Sequence, residues 1–397
     1  MSVIEESSPY QDERPPSLPQ IFLSFLRLGV TAFGGPAMIV HIRSMAVQKK
    51  RWLDEPTFRN GLALCQTIPG ATAMQVCAFV GLRARGVRGA AASYIGFALP
   101  AFLLMIGLSA LYSSWHSLPV AASVFASLRA LVVALIAHAA VTSARAYIKR
   151  WQDIVIVPVA AALLWVGISP ILVVMASAVL GIVLSLNEAR TPEKVKEEEK
   201  KSFPLRPVLI ISGAAVLGLL ALFLFDRMLF DLSLIMLRVD LFAFGGGFAS
   251  VPLMLHEVVD LRHWLDQKTF LDGIALGQVT PGPVVITATF VGYVVRGVWG
   301  AIVSTASIFL PSFIILVSVA PVFSRLNSLP LFRKGIAGVL CSFVGLLLSV
   351  SIKLGLAVAW DIPRAALAIA AFVALMFRVN LLWVVLGGIG IAVLFRF

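Results

Sequence analysis

The sequence has few charged residues for its length. Of its 397 residues, only 13% are Asp, Glu, Lys or Arg, whereas 59% are hydrophobic. The mean hydropathy is +0.96. Soluble globular chains carry roughly 25% charged and about 45–50% apolar residues. This composition excludes a soluble protein and predicts an all-α polytopic membrane protein, because only helices and closed barrels satisfy their backbone hydrogen bonds inside lipid.

Several chemistries lack the residues that they need. The three cysteines, Cys65, Cys77 and Cys341, lie singly in apolar segments, without the spacing of a zinc site or a disulfide framework. The sequence has no phosphate-binding loop, no G-x-S-x-G nucleophile motif and no H-E-x-x-H zinc motif. We therefore expect no enzyme activity, no cofactor and no metal site. The net charge of +12 comes from Lys and Arg in short loops, which is typical of membrane topology and does not indicate nucleic-acid binding.

One charged segment divides the apolar chain near its middle. Residues 193–201 read EKVKEEEKK, a composition that cannot enter hydrocarbon and indicates a linker. The predicted organisation is a disordered cytoplasmic tail at 1–19, a first repeat at 20–186, a charged cytoplasmic linker at 187–206, a linking transmembrane helix at 207–227 and a second repeat at 228–397. Each repeat has about six apolar segments. Several are shorter than the roughly 20 residues of a full span, so broken or re-entrant helices are expected.

The two halves carry the same motifs in the same order. The tripeptide FGG occupies residues 33–35 and 244–246, and the pattern F-x2-G-x-A-L-x-Q-x2-P-G occupies residues 58–70 and 270–282. Trp-Leu-Asp precedes each copy of the longer pattern, and its aspartate, Asp54 or Asp266, is predicted to cap the next helix. An odd number of predicted spans separates equivalent points, so the second repeat should be inverted in the membrane. Inverted repeats are typical of secondary transporters.

The Pro-Gly steps of the longer pattern form the first candidate binding site. Proline lacks an N–H donor and glycine permits unusual backbone angles, so Pro69-Gly70 and Pro281-Gly282 should break a helix inside the membrane. The resumed helices would offer free N–H groups and a positive dipole end to an anion near the bilayer midplane. The alternative is a proline kink that only lets helices pack closely. Recurrence in both repeats favours the binding site, whose predicted polar side chains are Gln66, Thr67, Thr72, Gln278 and Thr280.

Paired glycines and isolated charges supply further candidates. Gly34 and Gly35, with Gly245 and Gly246, allow close approach of a ligand or of another helix, and the sequence leaves both readings open. Arg27 and Arg238 lie at equivalent places in the two repeats. A charge within the membrane costs roughly 2.5–3.5 kcal/mol, so each arginine should either pair with an anionic substrate or extend to the interface. Asp240 and Glu257 are candidates for ion coupling.

These motifs resemble those of the chromate ion transporter family in its long, two-domain form. The resemblance rests on residues 33–36, 66–70 and 81–89 in the first half and on residues 244–246, 278–282 and 292–300 in the second, and it extends from about residue 20 to the end. It implies a multi-pass protein of the bacterial inner membrane that exports chromate and confers chromate resistance. Sulfate, a dianion of similar shape, would be the expected competitor.

The expected mechanism is secondary transport by alternating access, with both broken segments holding the oxyanion. Outward movement of a dianion from a negative-inside cell releases about 4–5 kcal/mol per 100 mV. The alternatives are an uptake or exchange carrier for sulfate or another oxyanion, and a non-transporting membrane scaffold. A homodimer is left open. The distribution of Lys and Arg predicts a cytoplasmic N-terminus, although the basic loop at 43–59 would then lie outside unless the first segment is re-entrant.

Overall fold

A computed structural model describes residues 15–33, 35–115, 119–185 and 204–395. All regular secondary structure in these ranges is helical, which confirms the predicted all-α class. Most of the predicted tail (1–19) and of the predicted linker (187–206) lies outside the described residues. Helix α1 begins at Leu18 and helix α8 at Leu205, each two residues inside the range predicted for its flanking segment.

The seven α-helices described in the first repeat recur in the same order in the second, which has one additional short helix. The first repeat contains α1 (Leu18–Thr31), α2 (Gly35–Arg43) with a π-helical turn (Ser44–Lys49), α3 (Glu55–Thr67), α4 (Thr72–Trp115), α5 (Pro119–Tyr147), α6 (Trp151–Trp165) and α7 (Pro170–Leu184). The linking helix is α8 (Leu205–Phe225). The second repeat contains α9 (Arg227–Phe242), α10 (Ser250–Leu255) with a π-helical turn (His256–Leu261), α11 (Gln267–Val279), α12 (Thr287–Val319), α13 (Phe323–Ser328), α14 (Pro330–Ala357), α15 (Ile362–Met376) and α16 (Leu381–Phe395).

Five helical stretches of the described chain are long and apolar enough to cross a membrane. They are Thr72–Trp115, Ala122–Tyr147, Leu205–Phe225, Val284–Val319 and Pro330–Ala357. In α8 every residue keeps part of its surface exposed, as expected for a linking helix that faces lipid. The polytopic membrane class predicted from composition is therefore supported by helix length as well.

Helix α3 and the start of α4 form a re-entrant hairpin. The ring of Phe79 packs on Gly61 so closely that a Cβ at Gly61 would lie 2.1 Å from Phe79 Cε1. These residues are each nine positions from Gly70, and a straight helical path would separate them by about 27 Å. The chain therefore reverses at the Pro-Gly step. We call residues 55–84 hairpin 1 and residues 68–71 its tip, tip 1.

The second repeat forms the same hairpin. A Cβ at Gly273 would lie 2.3 Å from Cδ1 of Phe290, so α11 and residues 284–295 are antiparallel as well. We call residues 267–295 hairpin 2 and residues 280–283 tip 2. An arm of about 13 residues is about 20 Å long, less than the roughly 30 Å of the hydrocarbon core. The prediction of broken or re-entrant helices is confirmed in its re-entrant form.

A second reversal follows each hairpin within α4 and α12. Arg85 and Gly86 leave the helical region, with φ of −152° and +61°. Beyond this turn, Gly89 packs on Gly81 so tightly that a Cβ at Gly81 would lie 2.2 Å from the Gly89 carbonyl oxygen. Residues 87–115 then run back across the molecule. Arg296 and Gly297 make the equivalent turn in α12.

The two hairpins enter from opposite faces of the molecule. At one end of residues 87–115, Arg85 Nη1 donates to the Pro16 carbonyl at 2.9 Å, beside the start of α1. Toward the other end, Tyr112 donates to Asp272, in the first half of α11, at 2.9 Å. Residues 87–112 of a helix span about 38 Å. The open ends of the hairpins are therefore at opposite faces, which confirms inverted repeats.

The first apolar segment does not cross the molecule. Arg43 Nε lies 2.9 Å from Glu55 Oε1, so the end of α2 meets the start of α3. That start is at the same face as Pro16, because hairpin 1 opens there. Residues 18–49 therefore enter and return, which is the re-entrant alternative left open by the sequence. The basic residues Lys49, Lys50 and Arg51 then lie on the face of the N-terminus, which we call the N-terminal face.

At the opposite face, Asp226 connects α9 to the turn after hairpin 2. Its carboxylate accepts the N–H groups of Met228 and Leu229 at 3.1 and 3.2 Å and lies 2.8 Å from Arg296 Nη2. The hydrogen bond from Arg296 holds the pKa of Asp226 below its usual range. This contact occupies the position that the Arg85 to Pro16 contact has in the first repeat.

Candidate functional site

Each hairpin tip contacts the helix break of the other repeat. The Gly70 N–H donates to the Ala243 carbonyl at 2.9 Å, and the Gly282 N–H donates to the Ala32 carbonyl at 3.1 Å. Ala32 and Ala243 directly precede the two FGG tripeptides. The two repeated motifs therefore meet in space, crosswise between the repeats. Of the predicted site residues, Gly34 lies outside the described residues.

Both tip glycines need the absence of a side chain. Gly70 has φ of +114° and Gly282 has φ of +120°, a region that L side chains rarely adopt. A Cβ at Gly70 would lie 2.3 Å from Ser312 Cβ, and one at Gly282 would lie 2.8 Å from Ala101 Cβ. Backbone conformation and space thus both require glycine, for the same reason in each repeat.

The hydrogen bonds of the tips limit which backbone groups are available to an anion. The N–H groups of Gly70 and Gly282 already donate to carbonyl oxygens, so they are not free to bind a ligand. The first N–H groups of the resumed helices have no acceptor within their own helix. They belong to residues from Thr72 in the first repeat and from Val284 in the second. These groups are therefore candidates for backbone donation to an anion.

Residues 245–247 lie between the two resumed helices. A Cβ at Gly246 would lie 3.5 Å from Thr72 Oγ1, and a Cβ at Gly247 would lie 3.7 Å from the Val284 nitrogen. Gly245 and Gly246 have φ of +92° and +99°. We call Thr72, residues 245–247 and Val284 the central site. At this site the starts of both resumed helices lie against one glycine-rich backbone segment. The sequence predicted these motifs but not that they come together.

The predicted polar side chains differ in their surroundings. Gln278 is 3% exposed, and its Nε2 has no hydrogen-bond partner in the described part of the chain. Gln66, its counterpart, is exposed. The hydroxyls of Thr67 and Thr280 donate to carbonyls of their own helices, at 2.7 and 3.0 Å. Gln278 is therefore the predicted side chain with an unused buried donor.

The two hairpins are covered to different extents. One face of α3 is exposed, whereas the corresponding face of α11 is buried beneath α5 and α16. Four exposed residues of α3 have buried counterparts in α11: Arg59, Asn60, Ala63 and Gln66 correspond to Leu271, Asp272, Ala275 and Gln278. A polar, exposed strip thus leads along α3 from the N-terminal face to tip 1. The equivalent path along α11 is closed.

A buried ion pair holds the closed side together. Arg129 in α5 donates through Nε and Nη2 to Asp272 Oδ1 and Oδ2, both at 2.7 Å, and Tyr112 donates to the same carboxylate. Asp272 is 1% exposed. Sequence reasoning assigned no role to this cluster. A signal was available, because Asp272 aligns with Asn60 and Arg129 aligns with Leu340, so each position differs between the repeats.

The predicted charged candidates are not gathered at the tips. Arg27 and Arg238 lie on exposed faces of α1 and α9. Glu257 is 6% exposed and pairs with Arg262 Nη1 at 3.0 Å, which gives its burial a structural explanation. Asp240 differs, because it is buried directly beside tip 1: its Oδ2 accepts the Ser312 N–H at 2.7 Å, and Ser312 packs on Gly70.

Comparison with known proteins identifies the sequence class of the chain. A family model described as "Chromate transporter" matches twice, at residues 19–182 and 230–393. An uncharacterized transporter of Methanocaldococcus jannaschii is 45% identical over 94% of this chain and 92% of its own length. Chromate transport proteins of Cupriavidus metallidurans and Pseudomonas aeruginosa are 31% and 30% identical over 91% of this chain and over 88% and 86% of their own lengths. No solved structure matches the chain.

Proposed function

Because this chain belongs to the chromate transporter family, we propose that it exports chromate across the cell membrane as a secondary transporter. The observation that carries this proposal is the crosswise contact of the hairpin tips, from Gly70 to Ala243 and from Gly282 to Ala32. Paired helix interruptions that meet within inverted repeats are the arrangement in which membrane transporters build substrate sites.

We assign the dianion to the central site. The starts of the two resumed helices approach residues 245–247 from opposite faces, so both positive dipole ends favour an anion there. Gln278, at the end of α11 next to tip 2, adds a neutral hydrogen bond through its unused Nε2 donor. All of these hydrogen-bond donors are uncharged. Uncharged donors suit a transporter, because an anion held by buried cations would be released slowly.

The unequal cover of α3 and α11 supports alternating access. Because the repeats have the same fold, α3 can be covered as α11 is now, and α11 can be exposed as α3 is now. The present structure is then the state open to the N-terminal face. We assign this face to the cytoplasm, because Lys49, Lys50 and Arg51 lie on it and basic residues favour the cytoplasmic side.

Export is the direction that the membrane potential favours. Moving a dianion out of a negative-inside cell releases about 2.3 kcal/mol per charge per 100 mV, and uptake must overcome the same amount. The relatives whose names specify chromate are about 30% identical to this chain. An uptake or exchange carrier for sulfate or another oxyanion is the rival, and the direction of flux separates the two.

Chromate flux into inside-out vesicles tests the proposal. With an imposed potential, positive inside the vesicle lumen, the protein should accumulate chromate, and excess sulfate should compete. Gln278→Glu places a negative charge next to tip 2 and should reduce the rate at least tenfold, whereas Gln278→Leu, which only removes the donor, should reduce it less. Gly107→Ala is the matched control, because its Cβ meets open space. Absence of chromate flux, or an undiminished rate in Gln278→Glu, would contradict the proposal.

A further inference from the structure

Asp240 is a buried acid whose carboxylate is only half satisfied. It is 1% exposed, and its Oδ2 accepts the Ser312 N–H at 2.7 Å. Ser312 follows Pro311, where the helix ladder of α12 is interrupted. Oδ1 has no hydrogen-bond partner among the residues that the structure describes. A carboxylate therefore extends from α9 to the kink of α12, with one oxygen unused.

The groups around Asp240 supply no compensating cation. Tyr94 of α4 faces it, but its hydroxyl donates to the Phe309 carbonyl and contacts Ser312 Oγ, each at 2.9 Å. Cys77, also of α4, is the other titratable group near this tyrosine. Arg238 on the same helix is exposed and, in the described ranges, makes no ion pair with Asp240. The neutral acid needs no counter-charge at this place, whereas the carboxylate needs one.

A second unused oxygen lies at the same tip. Gln75 is fully buried, its Nε2 donates to the Pro69 carbonyl, and its Oε1 has no partner in the described residues. Its Nε2 would lie 2.9 Å from a Cβ at Gly70. The neighbourhood of Asp240 therefore offers acceptors and no spare cation. An added proton on Oδ1 fits this chemistry.

This acid occurs in one repeat only. Asp240 aligns with Gly29, which packs so closely on α4 that a Cβ there would lie 2.5 Å from the Phe97 carbonyl oxygen. The first repeat thus has no room for an equivalent carboxylate. Asp240 is a single acid placed three residues before Ala243, the carbonyl that receives the Gly70 N–H. It is therefore within the crosswise contact of tip 1.

We propose that Asp240, with Ser312 and Tyr94, forms a proton site that is coupled to the dianion site. The inference rests on the proposed function. A carboxylate beside tip 1 repels a dianion at the central site, and binding of a proton at Oδ1 removes that repulsion. By reciprocity, bound dianion favours the protonated acid. One proton then crosses with each dianion and leaves Oδ1 when the dianion departs, so each cycle moves one net negative charge.

Purified full-length protein in proteoliposomes tests this coupling. At mildly alkaline pH, where chromate is the dianion, chromate flux under a clamped potential should carry protons in the same direction, reported by a pH-sensitive dye. Asp240→Asn should move chromate without protons, with a rate that no longer changes with pH, and should double the charge moved per chromate. Asp240→Glu should retain the proton flux. Glu55→Gln is the matched control, since Glu55 pairs with Arg43 at the open end of hairpin 1, away from tip 1.

Two results would overturn the coupling. They are chromate flux without protons in the unaltered protein, and proton flux that persists in Asp240→Asn. Infrared difference spectroscopy tests the proton site without a transport measurement. Near neutral pH the protein should show the carbonyl band of a protonated carboxylic acid, which should be lost in Asp240→Asn and kept in Glu55→Gln. If chromate is not moved but this band is found, the proposed substrate fails and the proton site stands. If the band is absent, the proton site fails.

Discussion

Gly70 and Gly282 are the residues at which one added methyl group has the clearest consequence. Each combines a positive φ with a Cβ position already occupied by a neighbour, Ser312 or Ala101. Gly70→Ala and Gly282→Ala should each cost about 1–3 kcal/mol of stability and displace a tip from its carbonyl partner. Chromate flux per inserted protein should fall at least tenfold in both variants.

Substitutions at two other glycines serve as controls, because they distinguish the effect of backbone strain from the effect of a displaced tip. Gly86 has φ of +61° but open space around its Cβ position, and Gly107 has open space in a helix. Gly86→Ala should therefore lose some stability and keep its flux, and Gly107→Ala should keep both. Full flux in both tip variants would show that the tips are not the transport site.

Local chemistry made several individual residues predictable. Asp54 and Asp266 cap α3 and α11 as the sequence predicts, accepting the N–H groups of Thr57 and Thr269 at 2.9 and 2.6 Å. The breaks at the two Pro-Gly steps were predictable for the same reason. The partners of the Gly70 and Gly282 amides were not, because Ala243 and Ala32 are distant in sequence. Only the folded chain brings those carbonyls to the tips.

The contact between α5 and α11 depends on one buried ion pair. Replacing Asp272 by Asn leaves the partly buried Arg129 without its counter-charge, so we expect a loss of about 3 kcal/mol, at the low end of the range for buried pairs. The double replacement Arg129→Met with Asp272→Leu should recover most of that loss, because no unpaired charge remains. Thermal unfolding in detergent, compared with denaturant titration, measures both effects.

An exposed arginine serves as the control for that experiment. Arg59 lies 4.0 Å from Glu55 on the open face of α3, with most of its side chain in solvent. Arg59→Met should change stability by less than about 1 kcal/mol. If single replacements of Arg129 and Asp272 change stability as little as Arg59→Met does, the ion pair does not hold α5 against α11.

Helix positions were more predictable than helix paths. The lengths of the apolar stretches predicted where the helices lie. They did not predict whether a stretch crosses the membrane or enters and returns, because both kinds have the same composition, as residues 18–49 show. The sequence did hold a signal for the hairpins. Gly61 and Phe79 each lie nine residues from Gly70, and Gly273 and Phe290 lie nine and eight residues from Gly282. A small residue opposite a large one across a Pro-Gly step is what a tight antiparallel pair requires.

The two repeats share a fold but do not have equal interfaces. The ion pair that closes α5 over α11 has no equivalent on the other side, where Leu340 and Asn60 occupy the corresponding positions. Under the proposed alternating access, the state closed at α11 would have a charged contact that the opposite state lacks. We therefore expect the state open to the N-terminal face to be favoured when no substrate is bound. Alignment of the repeats shows the differing residues, but only the packed molecule shows which side they close.

Cysteine labelling tests this inequality on the whole molecule. The native cysteines Cys65, Cys77 and Cys341 are buried, so reaction with a membrane-impermeant maleimide should be slow in the unaltered protein. Ala63→Cys, on the exposed face of α3, should react rapidly from the N-terminal face. Ala275→Cys, at the equivalent position of α11, is 1% exposed and should react slowly from either face.

Removing the ion pair should change this pattern in a defined direction. In the Arg129→Met, Asp272→Leu background, the state open at α11 is no longer disfavoured, so labelling of Ala275→Cys should accelerate from the face opposite the N-terminus and labelling of Ala63→Cys should slow. The opposite changes at the two positions distinguish alternation from general loosening, in which both cysteines would react faster. A simultaneous increase at both positions would contradict alternating access, because an exchange between two states cannot expose both sides at once.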